Sequence, residues 1–161
     1  MMSTAYIGID PGSSGGISVL DQQGILFSHR LSSGTEWDTA DFLRGFVLRS
    51  NISQYIVAIE KVHSMPGQGV SSMFKFGKAY GFLRGIVIAN GLAFEDVTPQ
   101  AWLKGLQIPK RPKEWTKAQW KKSLQTEAHR LFPQNSKEIG REEADSVLIA
   151  EYVKRKFSGT L

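Results

Sequence analysis

The chain predicts an α/β fold, a five-stranded mixed sheet flanked by helices. Three observations predict it: a run of short apolar stretches near the N-terminus, two further isolated apolar stretches, and helical apolar spacing between and after them. Thr4–Asp10 is the first strand, a nearly unbroken apolar run ending in an acid. Residues 15–20 and 24–31 are the second and third strands, and Asp21-Gln22-Gln23-Gly24 is the turn that joins them into a meander. Thr35-x-x-Asp38 resembles a capping box, and Phe42, Phe46 and Val47 follow at helical spacing, so a helix is expected over Glu36–Arg49. Gln54–Glu60 is a fourth strand. A long helix is expected over 70–90, stopped by Gly91, and 92–98 returns as the fifth strand. Helices from Pro99, over 116–132 and over 140–157 complete the order.

The 161 residues, 41% of them hydrophobic, are expected to form a single domain over 1–161 with its own core. A net charge of +5 favours a polyanionic partner without requiring one. The distribution of that charge says more. Lys104, Lys110, Arg111, Lys113, Lys117, Lys121, Lys122 and Arg130 crowd one segment against only Glu114 and Glu127. There is no cysteine, which excludes a disulfide framework and a thiolate zinc site. Neither a signal-peptide core nor an uncharged run near the ~20 residues of a bilayer span is present, and the expectation is a soluble intracellular protein.

Four acids stand out. Asp10 and Glu60 each close an apolar strand, and Glu142 and Asp145 are spaced i, i+3, which puts them on one face of the expected last helix. Carboxylates gathered in a basic protein repel one another unless cations sit between them, and an all-oxygen set suits Mg²⁺ or Mn²⁺. A metal-dependent nuclease is the leading reading. Each acid alone has a plainer account. Asp10-Pro11-Gly12 is an ordinary turn, Glu60 and Lys61 can pair on the surface, and Glu142 and Glu143 can complement a helix dipole. Asp145 is harder to set aside, because Val147, Leu148 and Tyr152 beside it are core types and an unpaired carboxylate there is costly.

The order of these features resembles the RuvC-type Holliday junction resolvases of the RNase H-like nucleases. A meander opening with Ile7-Gly8-Ile9-Asp10-Pro11-Gly12, a Glu ending the fourth strand and an acidic pair on the last helix carry the resemblance. Thr98-Pro99 followed by Lys104 looks like the family's Thr-Pro helix with its basic residue. Lys117-Ala118-Gln119 falls where the family has a lysine near the active site, and 142–150 is similar to its closing motif. The match runs through nearly the whole chain, with two departures. The segment 107–116 is longer than the family's linker, and the junction-wedging position after Glu60 holds His63, with Met65 and Phe74 as alternatives.

The resemblance implies an RNase H-like fold and a crossover junction endonuclease of DNA recombination and repair, from a phage or bacterium and acting in the cytoplasm. It implies two Mg²⁺ per active site, replaceable by Mn²⁺, held by Asp10, Glu60, Glu142 and Asp145. Asp10 would bridge the two ions. In such sites the ions lie roughly 3.5 to 4 Å apart, one activating water and the other steadying the leaving oxygen. Lys117 would stabilise phosphate charge or orient the nucleophile. DNA contacts are expected from His63, Met65, Phe74, Lys104, Lys110, Arg111, Lys113, Lys117 and Lys121. Trp102, Trp115 and Trp120 can stack on bases or pack in the core, and His29 and His129 read as packed or solvated rather than as ligands.

Gly77, Gly81 and Gly85 recur every fourth position of the long helix, which marks a close approach of another helix, within the chain or across a two-fold axis. The resemblance implies a homodimer with paired active sites on four-way junction or branched DNA. Three other readings stand beside it. Gly8 to Gly15 resembles the first phosphate loop of the actin and sugar-kinase ATPases, which need a second similar half. The others are a flap or RNA-hybrid nuclease, and a structure-specific DNA-binding protein without catalysis.

Overall fold

A computed structural model describes residues 2–61, 63 and 66–161. Three elements keep the expected bounds: strand β1 (Thr4–Asp10), helix α1 (Glu36–Arg49) and strand β4 (Gln54–Glu60). The others are β2 (Gly16–Asp21), β3 (Leu26–Arg30), α2 (Val70–Ala89), β5 (Phe94–Val97), α3 (Pro99–Gly105), α4 (Lys117–Leu131) and α5 (Ala144–Ser158). Short 3-10 turns at Leu31–Ser33 and Pro133–Asn135 carry no signal that spacing reveals. The local punctuation behaves as its chemistry dictates. Thr35 and Asp38 exchange both bonds of a capping box, and Gly91 ends α2 at a φ of 70°.

The five strands run β3-β2-β1-β4-β5, with β1–β2 and β2–β3 antiparallel and β1–β4 and β4–β5 parallel. The sheet is mixed, as expected. β1 is central and wholly buried, and its period of two sorts its side chains onto two cores. Ala5, Ile7 and Ile9 join Val57, Ile59, Leu83 and Val87 under α1 and α2. Tyr6 joins Ala58, Trp102, Leu124, Leu148 and Ile149 under α3, α4 and α5. A Cβ on Gly8 would run into the backbone of Ser146 and Ala150. Only glycine therefore lets α5 lie directly on β1, which brings the start of α5 to the end of β1.

Most other bounds shift by one or two residues, and the last helix shifts furthest. The last helix starts at Ala144 rather than 140: residues 141–143 form a turn, in which Glu143 accepts from the Gly140 N–H at 2.9 Å and from Arg30. Glu142 thus precedes the helix, and its carboxylate meets Ser32 and Arg30 while that of Asp145 meets Lys121. Among the described residues no helix is long and apolar enough to cross a membrane.

Candidate active site

Asp10 and Glu60 follow Ile9 and Ile59, which are paired in the parallel β1–β4 register, so the two acids leave adjacent strand ends side by side. Even-numbered residues of both strands face α3, α4 and α5, and the acids share that face. Binding sites of open α/β sheets form at this carboxyl edge of parallel strands. α5 delivers a third carboxylate, Asp145, in its first turn. Asp10 and Asp145 are 7% and 6% exposed, which is deep for groups that ionise.

The electrostatics follow from that crowding. Burial first, and then the Asp145 charge, push the Asp10 carboxyl up from an ordinary 3.8 to about 6. Burial and then Asp10 push Glu60 up to about 7, although an indole hydrogen bond from Trp102 and the Lys121 charge work against the rise. Lys121 is the cation that answers this negative charge. Burial lowers its affinity for a proton, but Asp145, Asp10 and Glu60 together outweigh that, and its pKa is raised. Its ammonium contacts Asp145 Oδ2 directly. Asp145 Oδ1 is buried with no hydrogen-bond partner.

That orphaned oxygen, in a set of hard oxygen donors, is what a Mg²⁺ or Mn²⁺ site offers. Asp10, Glu60 and Asp145 fit such an ion chemically. Among the described residues no three acidic or imidazole side chains stand close enough to hold a metal as they are placed, and Lys121 occupies part of the charge-balancing role. Beside the acids opens a cleft of about 490 Å³, lined by Asp10, Ser13 and Ser14 after β1, by Ser72 and Lys75 of α2, and by Lys117 and Lys121 of α4.

No protein-family model and no curated protein sequence matches the chain. Solved structures do. RuvC of T. thermophilus in complex with a Holliday junction substrate superposes with a TM-score of 0.57 at 17% identity, covering 97% of this chain and 97% of that one. The Thermus thermophilus RuvC structure does so with a TM-score of 0.54 at 19% identity, again over 97% of each chain. The fold is that of RuvC, an RNase H-like fold. Within this RuvC-like frame the expected site residues divide into those gathered at the cleft and those held elsewhere.

Asp10, Glu60 and Asp145 come together. Glu142 does not join them. Its Oε2 accepts from Ser32 Oγ at 2.5 Å and lies 3.3 Å from Arg30, whose Nε donates to the buried Glu143 at 2.7 Å. Of the two lysines on one face of α4, Lys121 rather than Lys117 reaches the carboxylates, and Lys117 lies exposed on the cleft wall. Lys104, Lys110, Arg111 and Lys113 are exposed but away from the cleft lining. Arg111 also closes its own loop by donating to the Trp115 carbonyl at 2.7 Å. His63 is exposed, Phe74 is 74% exposed on α2, and Met65 lies outside the described residues. At Gly77, Gly81 and Gly85 an added Cβ would meet nothing within 4 Å, so close packing inside the chain does not explain them.

Sequence reasoning missed Trp102 as a partner of Glu60, Arg30 as the holder of Glu142 and Glu143, and Lys75 on the cleft wall. Only Lys75 carried a usable signal. It lies in the second turn of a helix that begins just past Glu60, and that turn has to pass the carboxyl edge of the sheet.

Proposed function

We propose that this chain is a divalent-metal-dependent endonuclease that cuts four-way junctions or similarly branched DNA, acting as a homodimer. The observation that carries the reading is the convergence of Asp10, Glu60 and Asp145, two of them at adjacent strand ends and the third with a buried, unpartnered oxygen, in a RuvC-like fold. Asp10, Glu60 and Asp145 would hold Mg²⁺, or Mn²⁺ in its place, and Glu142 would join them only by leaving Arg30 and Ser32. Two bound ions would supply an activated water and charge stabilisation for the leaving 3′ oxygen.

The chain's own residues supply the rest. Lys121 sets a positive charge among Asp10, Glu60 and Asp145, which offsets their repulsion in the absence of metal, and because it also lines the cleft its ammonium is placed to donate to a phosphate drawn in. Lys75 and Lys117 offer backbone contacts along the cleft wall, which position DNA without reading its sequence. Lys104, Lys110, Arg111 and Lys113 extend the positive surface for a wider duplex arm. The open glycine stripe of α2 gives a second copy a face where helix backbones can approach closely.

The hold of Arg30 on Glu142 favours a second reading, structure-specific DNA binding without cleavage. One experiment separates them: end-labelled four-way junction, flap, linear duplex and RNA-hybrid substrates incubated with Mg²⁺ and with chelator. The expected result is symmetric incision of the junction, dependent on Mg²⁺. Retention of the junction without incision at any metal concentration would give the second reading, and preferential cutting of flap or hybrid would move the substrate class.

A further inference from the structure

Glu60 is held in a different way from Asp145. The Trp102 indole N–H donates to Glu60 Oε2 at 2.7 Å. Val97, at the end of β5, pairs with Glu60, and the chain enters α3 immediately afterwards through the Thr98 cap and Pro99. That short path places the first turns of α3 against the end of β4. Thr98 Oγ1 accepts from the Ala101 N–H at 3.2 Å, which fixes the turn carrying Trp102, and the ring is 2% exposed in the core shared with Val97, Leu148 and Tyr152. The donor is therefore locked on both sides, by its helix cap and by packing.

An indole N–H is a donor only and bears no charge. Unlike the Lys121 ammonium on Asp145, it brings no positive charge to compete with an incoming cation and need not leave for one to bind. It occupies one oxygen of Glu60 and leaves Oε1. We propose that Trp102 is a positioning residue that presents Glu60 to a divalent ion through one oxygen in a fixed rotamer. Six-coordinate Mg²⁺ and Mn²⁺ take such single-oxygen contacts at short, demanding distances, so a carboxylate free to rotate costs affinity.

This inference rests on the metal reading proposed above. The test is Mn²⁺ binding to the DNA-free protein, followed by the spin-resonance signal of unbound Mn²⁺, in a double-mutant cycle of Trp102→Phe and Glu60→Gln. Trp102→Phe should weaken Mn²⁺ binding about tenfold in the parent chain and have no further effect once Glu60→Gln is present. Benzothienylalanine at position 102, which keeps the bicyclic shape without the N–H, should reproduce the loss, and it decides the matter if the phenylalanine variant does not fold. Parent-like Mn²⁺ affinity in both 102 variants overturns the proposal, as does an equal loss with and without Glu60, which marks Trp102 as packing alone. A parent chain that binds no Mn²⁺ overturns this proposal together with the metal reading.

Discussion

Lys121 sets its ammonium on one oxygen of Asp145 while the other oxygen of that carboxylate is buried without a partner. Asp145 is half answered, and the rest of the site's negative charge falls on Asp10 and Glu60. Removing the cation should be costly in the metal-free protein. Lys121→Met is expected to destabilise the chain by about 2 kcal/mol in chelator, less than for a fully buried pair because Lys121 is 31% exposed. Saturating Mg²⁺ should recover part of that loss. Lys117→Met, on the exposed wall of the cleft, should leave stability unchanged. Denaturant unfolding of both variants checks this, and equal effects from the two lysines would remove Lys121 from the carboxylate cluster.

The raised carboxyls make stability depend on pH in an unusual direction. Folded Asp10 and Glu60 keep their protons to about 6 and about 7, against 3.8 and 4.5 when the chain is open, so the stability they contribute is full below those lower values and is lost as pH rises through the higher ones. Without metal at pH 8 the site carries the full cost of ionising both acids, burial first and then their mutual repulsion. Asp10→Asn and Glu60→Gln should each be more stable than the parent at pH 8 in chelator, by about 2 kcal/mol, with the gain fading toward pH 4. Both variants should still bind a four-way junction and should not cut it. Urea unfolding at the two pH values, beside a gel-shift and a cleavage assay, gives the answer. A variant less stable than the parent at pH 8 would mean that burial and mutual repulsion do not penalise the ionised acids.

Glu142 and Glu143 lie next to each other and are used differently. Glu143 is buried and takes bonds from Arg30 and the Gly140 N–H, and it holds the turn before α5. Glu142 is more exposed and bonds Ser32 at the surface. Glu143→Gln should therefore lower the melting temperature and reduce cleavage only in proportion to the folded fraction. Glu142→Gln should leave the melting temperature near the parent's and lower the cleavage rate at saturating Mg²⁺. Thermal melts and single-turnover cleavage on the same samples separate the two, and a reversal of the pattern would make Glu143 the acid that joins the site.

Much of the sheet is legible because β1, β4 and the β2–β3 turn end in chemistry that spacing reveals: Asp10 and Glu60 close apolar runs, Gly24 turns the meander, and Thr35 with Asp38 opens α1. The parallel β1–β4 register, which the structure supplies, then puts the two acids side by side. The missed features are pairings between distant positions. Trp102 and Glu60 are 42 positions apart, Lys121 and Asp145 are 24, and Arg30 and Glu143 are 113. Residue type alone does not say which lysine of a helix face reaches inward, or that an arginine on β3 will hold the acids before α5. The turn before α5 is hidden for the same reason, since nothing in residues 140–143 reveals that Arg30 of β3 holds Glu142 and Glu143 there.

The glycine stripe of α2 allows assembly to be separated from folding. Val70 and Phe74 are 86% and 74% exposed in the turns before it, and Ile88 is 62% exposed beyond it, so the open glycines lie within an apolar, outward face. An added side chain at Gly81 meets no atom of its own chain within 4 Å, and leaving glycine behind in a helix favours folding by up to about 1 kcal/mol. Gly81→Leu should therefore fold at least as stably as the parent. Across a helix pair whose backbones nearly touch, the same leucine has no room. The variant is expected to sediment as a folded monomer, to bind junction DNA more weakly, and to cut one strand where the parent cuts two. Analytical ultracentrifugation with and without junction DNA, read beside the ratio of singly to doubly nicked product, checks both halves. A parent chain that stays monomeric on the junction, or a Gly81→Leu dimer with paired cutting, would put the interface somewhere other than α2.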